Sequence, residues 1–141
     1  MQTFLEFKID IPKPKETLGI TRDKMPQIAS KDYDEFINYL RKNDVKMTKR
    51  KVPAKRLKPI QKEFSKAGVE KSMVRSIGGG VPKPLIASSD NYIIDGHHRW
   101  LATKNIDPNE VIEIYQANIT VQDLLALTLG FSKVTFKGIY K

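Results

Sequence analysis

The sequence predicts an α+β domain with a small mixed sheet and a few flanking helices. Three observations carry this. Val111 to Ile119 alternates as a strand does, with Ile112 and Ile114 on one face and Val111 and Tyr115 on the other. Tyr33, Phe36, Ile37 and Leu40 fall at i, i+3, i+4 and i+7, one apolar helical face. Leu85 to Ala102 reads as strand, turn, strand, glycine, helix. The 141 residues suit one domain. Chains near 150 residues bury about two thirds of their unfolded surface, so a real core is within reach.

Taken in order, Phe4 to Ile11 sets Leu5, Phe7, Ile9 and Ile11 against Glu6, Lys8 and Asp10, which is strand periodicity. Pro12 and Pro14 end it. Lys15 to Ala29 is a connector broken by Gly19 and Pro26, and Met25 and Ile28 suit a packed loop. Ser30 is placed to cap the helix whose apolar face is given above. Asp32, Asp34 and Glu35 load its first turn, as the helix dipole prefers, and Arg41 and Lys42 its last. Asn43 and Asp44 end it. Val45 to Val52 is a strand or an exposed arm, and Ala54 to Lys58 is an extended piece between Pro53 and Pro59. Lys62 to Ile77 reads as helical, with Gly78, Gly79 and Gly80 as its stop. That glycine run lacks the Lys-Ser/Thr of a P-loop and reads as a hinge.

Leu85 to Ala87 is a short apolar strand. Ser88 to Asn91 is turn chemistry, because such side chains bond their own backbone. Tyr92, Ile93 and Ile94 favour a strand. After Gly96, His97 to Lys104 runs as a helix, followed by a turn from Asn105 to Asn109. Thr120 is placed as an N-cap, with Asp123 at the capping-box position. Val121, Leu124, Leu125, Leu127 and Leu129 make the last helix strongly apolar, as expected of one buried in this chain's own core or against a partner. Val134 and Phe136 alternate in a final strand.

The junction at Gly96 has the chemistry of an anion site. A glycine lets a ligand approach the backbone closely. The first helical N–H groups have no partner within the helix, and the dipole adds positive charge at the same point. His97, His98 and Arg99 follow, and an arginine grips a phosphate with two parallel hydrogen bonds. The plainer alternative is a helix capped by Asp95, a core histidine, and an arginine paired on the surface.

Composition narrows the classes further. There is no cysteine, which excludes disulfides, thiolate metal sites and thiol catalysis. No apolar run approaches the roughly 20 residues that cross a bilayer, and no export signal is visible, so a cytoplasmic or virion-associated setting is expected. The net charge of +9 is concentrated. Arg41 to Arg75 holds thirteen Lys or Arg against three acids, a local +10. Such a segment suits nucleic acid, with Lys49, Arg50, Lys51, Lys55, Arg56 and Lys58 as candidate contacts to DNA or RNA. The alternative is a solvated basic surface.

The run Ile93-Ile94-Asp95-Gly96-His97-His98-Arg99-Trp100-Leu101-Ala102 resembles the phosphate-binding signature of the ParB/sulfiredoxin-like superfamily. Among its branches it is most similar to the ParB-like nuclease-type proteins of bacteriophages. Val52-Pro53-Ala54-Lys55-Arg56-Leu57-Lys58-Pro59-Ile60-Gln61-Lys62-Glu63 resembles the family's opening strand and loop. The likeness implies a core over residues 52–119, an N-terminal extension over 1–51, and a C-terminal helix and tail over 120–141. It implies phosphate binding at Gly96, His97, His98 and Arg99, and a ligand such as ATP or CTP, with Mg as a companion. If such a phage protein, the chain would work in the host cytoplasm or the virion.

Members of this superfamily differ in use. Sulfiredoxin chemistry needs a cysteine, which this chain lacks. A ParB partition clamp normally carries a helix-turn-helix and a dimer domain that these residues do not contain. A nuclease or nucleotide hydrolase draws on metal-bound carboxylates or a histidine base, for which Asp95, His97 and His98 are candidates and Asp90 a weaker one. An ATP-dependent small-molecule kinase needs a carboxylate base. Glu63 is the candidate, but Gln61 stands near where the kinase glutamate is expected. A non-catalytic phage structural or host-interaction protein is the third reading. Adjacent histidines without a third ligand are not a zinc signature, so no resident metal is expected.

Overall fold

The structure, a computed structural model, describes residues 17–21, 24–60, 69, 71 and 84–136. The expected strand at Phe4 to Ile11, the glycine run, Glu63, and all of the Lys62 to Ile77 helix except Val69 and Lys71 lie outside the described residues.

The fold is α+β. Among the described residues, ten strands and α-helices follow one another: β1 (Pro26–Gln27), α1 (Tyr33–Lys42), β2 (Met47–Pro53), β3 (Lys58–Pro59), β4 (Leu85–Ala87), β5 (Tyr92–Asp95), α2 (His97–Ile106), β6 (Val111–Ala117), α3 (Val121–Leu129) and β7 (Thr135–Phe136). Five strands form a mixed sheet in the order β2-β6-β4-β5-β3. The β2–β6 and β4–β5 pairs are antiparallel, whereas β4–β6 and β3–β5 are parallel. The separate pair β1–β7 sets Pro26 opposite Phe136 and Gln27 opposite Thr135, so part of the expected connector is a strand.

Side-chain alternation divides the interior between the two faces of the sheet. On one face Ile86 and Ile94 meet Phe36, Ile37 and Leu40 of α1 and Val121 and Leu124 of α3. Each such side chain, fully buried, is worth about 1.5–3 kcal/mol. On the other face Leu85, Ala87, Ile93 and Ile114 meet Trp100, Leu101 and Ala102 of α2, together with Val69. The Trp100 indole N–H donates to the Ala54 carbonyl at 2.8 Å, which ties α2 to the chain after β2.

Several boundaries differ from the sequence expectation for local reasons. A 3-10 turn over Ser30–Asp32 precedes α1, so Asp32 rather than Ser30 occupies the cap position, and it makes no side-chain cap bond. Ala54–Arg56 is a 3-10 turn rather than an extended piece, closed by Leu57 N–H donating to the Ala54 carbonyl. Val45 to Val52 resolves as a strand, with Met47 to Pro53 paired along β6. The α2 helix continues two residues past Lys104, where the Asn105 side chain donates back to the Leu101 carbonyl. The α3 helix is buried on one side only, since Leu129 is 48% exposed. Thr120 holds the extended backbone of an N-cap but makes no cap bond; Asp90, from the β4–β5 turn, accepts the Val121 N–H instead at 3.0 Å.

Candidate functional site

Gly96 joins β5 to α2 in the left-handed region, at φ 86°. An L residue is strained there. Space forbids one as well, because a Cβ at this position would collide with the Leu85 side chain. Glycine is therefore required twice over. Asp95 Oδ1 accepts the N–H of Gly96, one residue before the helix, at 3.0 Å. The first turn of α2 carries the N–H groups of His97, His98 and Arg99, for which a helix supplies no carbonyl of its own.

The two histidines have different environments. His97 is buried, and its Nε2 accepts the backbone N–H of Ile60 at 3.1 Å. An accepting Nε2 places the ring proton on Nδ1. Burial, helped by the neighbouring His98, holds its pKa down to about 3, so the ring is neutral across the physiological range. His97 thus pins the start of α2 to the segment after β3. His98 is only half-buried.

Arg99 lies among Asp95 and Tyr33. Burial lowers its pKa, and the Asp95 carboxylate and then Tyr33 oppose that shift. Tyr33 comes from α1, on the other face of the sheet. Its hydroxyl donates to the Pro84 carbonyl at 2.6 Å, just before β4. Burial and the nearby Tyr115, Asp95 and Asp34 push the phenol well above its usual range, against the pull of Arg99. The phenol therefore remains a proton donor. The start of α2 is thus held from three directions: Leu85 beneath Gly96, Ile60 on His97, and Tyr33 beside Arg99.

The six candidate nucleic-acid contacts all lie on the surface but do not share one face. Lys49 and Lys51 project from one side of β2 and Arg50 from the other, as alternation dictates. Lys49 sits 3.7 Å from Glu113 and 5.9 Å from the Tyr115 ring centroid. Lys55 and Arg56 are exposed on the 3-10 turn, and the Lys58 ammonium lies 4.4 Å from the Tyr92 ring centroid. Asp90 bonds Ser88 and caps α3, so its carboxylate has a structural task. Among the described residues, no three His, Asp or Glu side chains gather as a metal-holding group.

Three contributors were not singled out from sequence. Tyr33 reads as one of four apolar positions on α1, and nothing local marks its hydroxyl as bonded 51 residues away. Leu85, whose side chain forbids a Cβ at Gly96, reads as an ordinary strand residue. Gln116 is a half-buried residue on the same face of β6 as Ile112 and Ile114, and it orders a network taken up below.

No protein-family model matches the chain, and no curated protein sequence does. Among solved structures, the chain is similar to a Pnob8-like ParB-N domain, with 19% identity and a TM-score of 0.48. The match covers 60% of this chain and 35% of that one. Among the described residues no helix is long and apolar enough to cross a membrane.

Proposed function

We propose that this chain is a ParB/sulfiredoxin-like domain that binds the phosphate of a nucleotide or nucleic acid at the start of α2, with the basic residues after α1 contacting DNA or RNA. One observation carries the reading. Gly96 holds a left-handed turn in which no Cβ fits, directly before a helix whose second and third residues are His98 and Arg99. A helix start of this kind favours an anion through its amides and dipole, and Arg99 adds a cation to it.

Within this reading Gly96 gives the ligand access to the backbone, and Arg99 and His98 supply charge and donors. His97 is a positioning residue: with Nε2 engaged by Ile60, it fixes where the helix begins. Asp95 is the described carboxylate at the site, and a magnesium ion carried in by a nucleotide would draw most of its ligands from phosphate and water. If a bound phosphoester is cleaved, His98 is the histidine we assign to proton transfer.

Calorimetric titration of ATP, CTP and a short DNA duplex, each with and without magnesium, tests this. Nucleotide binding that is lost in Arg99→Ala, with the fold intact by circular dichroism, is the expected result. DNA binding untouched by Arg99→Ala, without nucleotide binding, moves function to the basic surface and leaves the α2 start a scaffold. An absence of both overturns the proposal.

A further inference from the structure

A cleft of about 640 Å³ opens at the far end of β5 from Gly96, lined by Thr48, Arg50, Arg56, Asn91, Gln116 and Asn118, among others. Its volume lies within the range of small-ligand sites. Asn91 and Gly96 flank a four-residue strand, so the two regions stand about 16 Å apart along it. Two guanidinium groups line the cleft and, among the described residues, no carboxylate does.

Its hydrogen bonds have a fixed polarity. Arg50 can only donate, so the Gln116 atom it meets at 2.6 Å is the amide oxygen. That orientation turns the Gln116 amide nitrogen toward the Ser88 carbonyl, at 3.1 Å, and Asn91 Oδ1, at 2.9 Å. Both are acceptors, so Asn91 in turn must present its oxygen inward. Asn118 Oδ1 is claimed by the backbone N–H of Lys46 at 2.9 Å. All three amide oxygens lining the cleft are therefore engaged by the protein. What remains for a ligand is the amide N–H groups of Asn91 and Asn118, most of the five donors of Arg50, all of Arg56, and the Thr48 hydroxyl. The network has engaged its amide oxygens and kept most of its donors.

We infer that this cleft is a second anion site, whose ligand is a phosphate group carried by a mononucleotide or by a nucleic-acid strand. Paired guanidinium groups with amide donors suit the several acceptor oxygens of a phosphate. A polyanion would also be drawn by the chain's charge of +9. The inference extends the assignment of Arg50 and Arg56 above and is independent of the α2 site.

The test is amide-resolved NMR titration of the whole chain with inorganic phosphate, a nucleoside 5′-monophosphate and a short single strand. Side-chain amide signals of Asn91, Asn118 and Gln116 report the cleft, and backbone signals of Gly96 to Arg99 report the start of α2. Lys31→Ala is the control, since it removes one charge from the exposed turn before α1, outside the cleft lining. The expected result is a cleft response weakened about tenfold in Arg50→Ala and in Arg56→Ala, little changed in Lys31→Ala and retained in Arg99→Ala. A response to phosphate and the monophosphate makes the free nucleotide a sufficient source; a response to the strand alone makes nucleic acid the source. Equal weakening in Lys31→Ala and Arg50→Ala overturns the inference, as does a cleft that responds to none of the three probes. Loss of binding at Gly96 to Arg99 alone overturns the α2 site and leaves this one standing.

Discussion

The two ends of β5 use the same backbone device for different purposes. Asn91 enters the strand at φ 68° and Gly96 leaves it at φ 86°, both left-handed. At Gly96 the side chain had to be absent, because Leu85 fills the space where a Cβ would stand. At Asn91 the side chain is the useful part, since its amide oxygen accepts from Gln116, while the backbone carbonyl of the same residue accepts the Lys58 N–H. Asparagine tolerates this region better than other non-glycine residues. The same dihedral thus builds bare backbone at one end and a placed amide at the other.

The sharpest way to break this comparison is Gly96→Ala. It combines left-handed strain of about 1–2 kcal/mol with overpacking of about 1–3 kcal/mol against Leu85. A large fall in the urea midpoint is expected; an unchanged midpoint would mean that the junction relaxes freely.

At the same end, His97→Phe leaves the Ile60 N–H without its acceptor, at a cost of about 1–3 kcal/mol. Acidity separates this from a simple packing change. The unfolded histidine takes up a proton below about pH 6.5, whereas the folded one resists until about pH 3. Unfolding therefore binds a proton in this window, and stability falls as pH drops from 6.5 toward 3. Thermal melts across that range should fall less steeply in His97→Phe than in the parent; parallel curves would refute the buried neutral histidine.

At the Asn91 end, Asp90→Ala removes the acceptor of the Val121 N–H and the partner of Ser88. Loss of a cap costs about 1 kcal/mol, read as faster hydrogen exchange in the first turn of α3. The smallest effect on stability is expected from Asn91→Gly, within about 1 kcal/mol because glycine accepts the dihedral. It removes the amide from the cleft, so phosphate-induced shifts of the Asn118 side chain should weaken while those at Gly96 persist.

How much was legible in the sequence follows the reach of the interactions. Helix α1 and strand β6 rest on local periodicity, and β4, β5, α2 and α3 on local residue type and the turn and glycine signals between them; the sequence placed all six within a few residues. The glycine junction was readable because strand, glycine and helix are contiguous. The failures are long-range. Thr120 has the backbone of a cap and the right residue type, but Asp90 reaches α3 first from 31 positions away. His97 and His98 look equivalent as neighbours, yet one faces the core and the other is half-buried; only the sheet packing decides which. The basic segment reads as one patch in sequence, while the pleat of β2 divides Arg50 from Lys49 and Lys51.

The position of β2 has one more consequence. Among the described residues it is an outer strand of the sheet, and Thr48 to Lys51 are all exposed on it. An outer strand offers unpaired backbone groups to any other chain, and lysines are a common safeguard against such docking. The charges proposed to attract a polyanion are thus of the kind that hinders edge-to-edge addition of copies. Mixing with a polyanion near charge equivalence would remove that repulsion, and turbidity should peak there and clear again when either component is in excess.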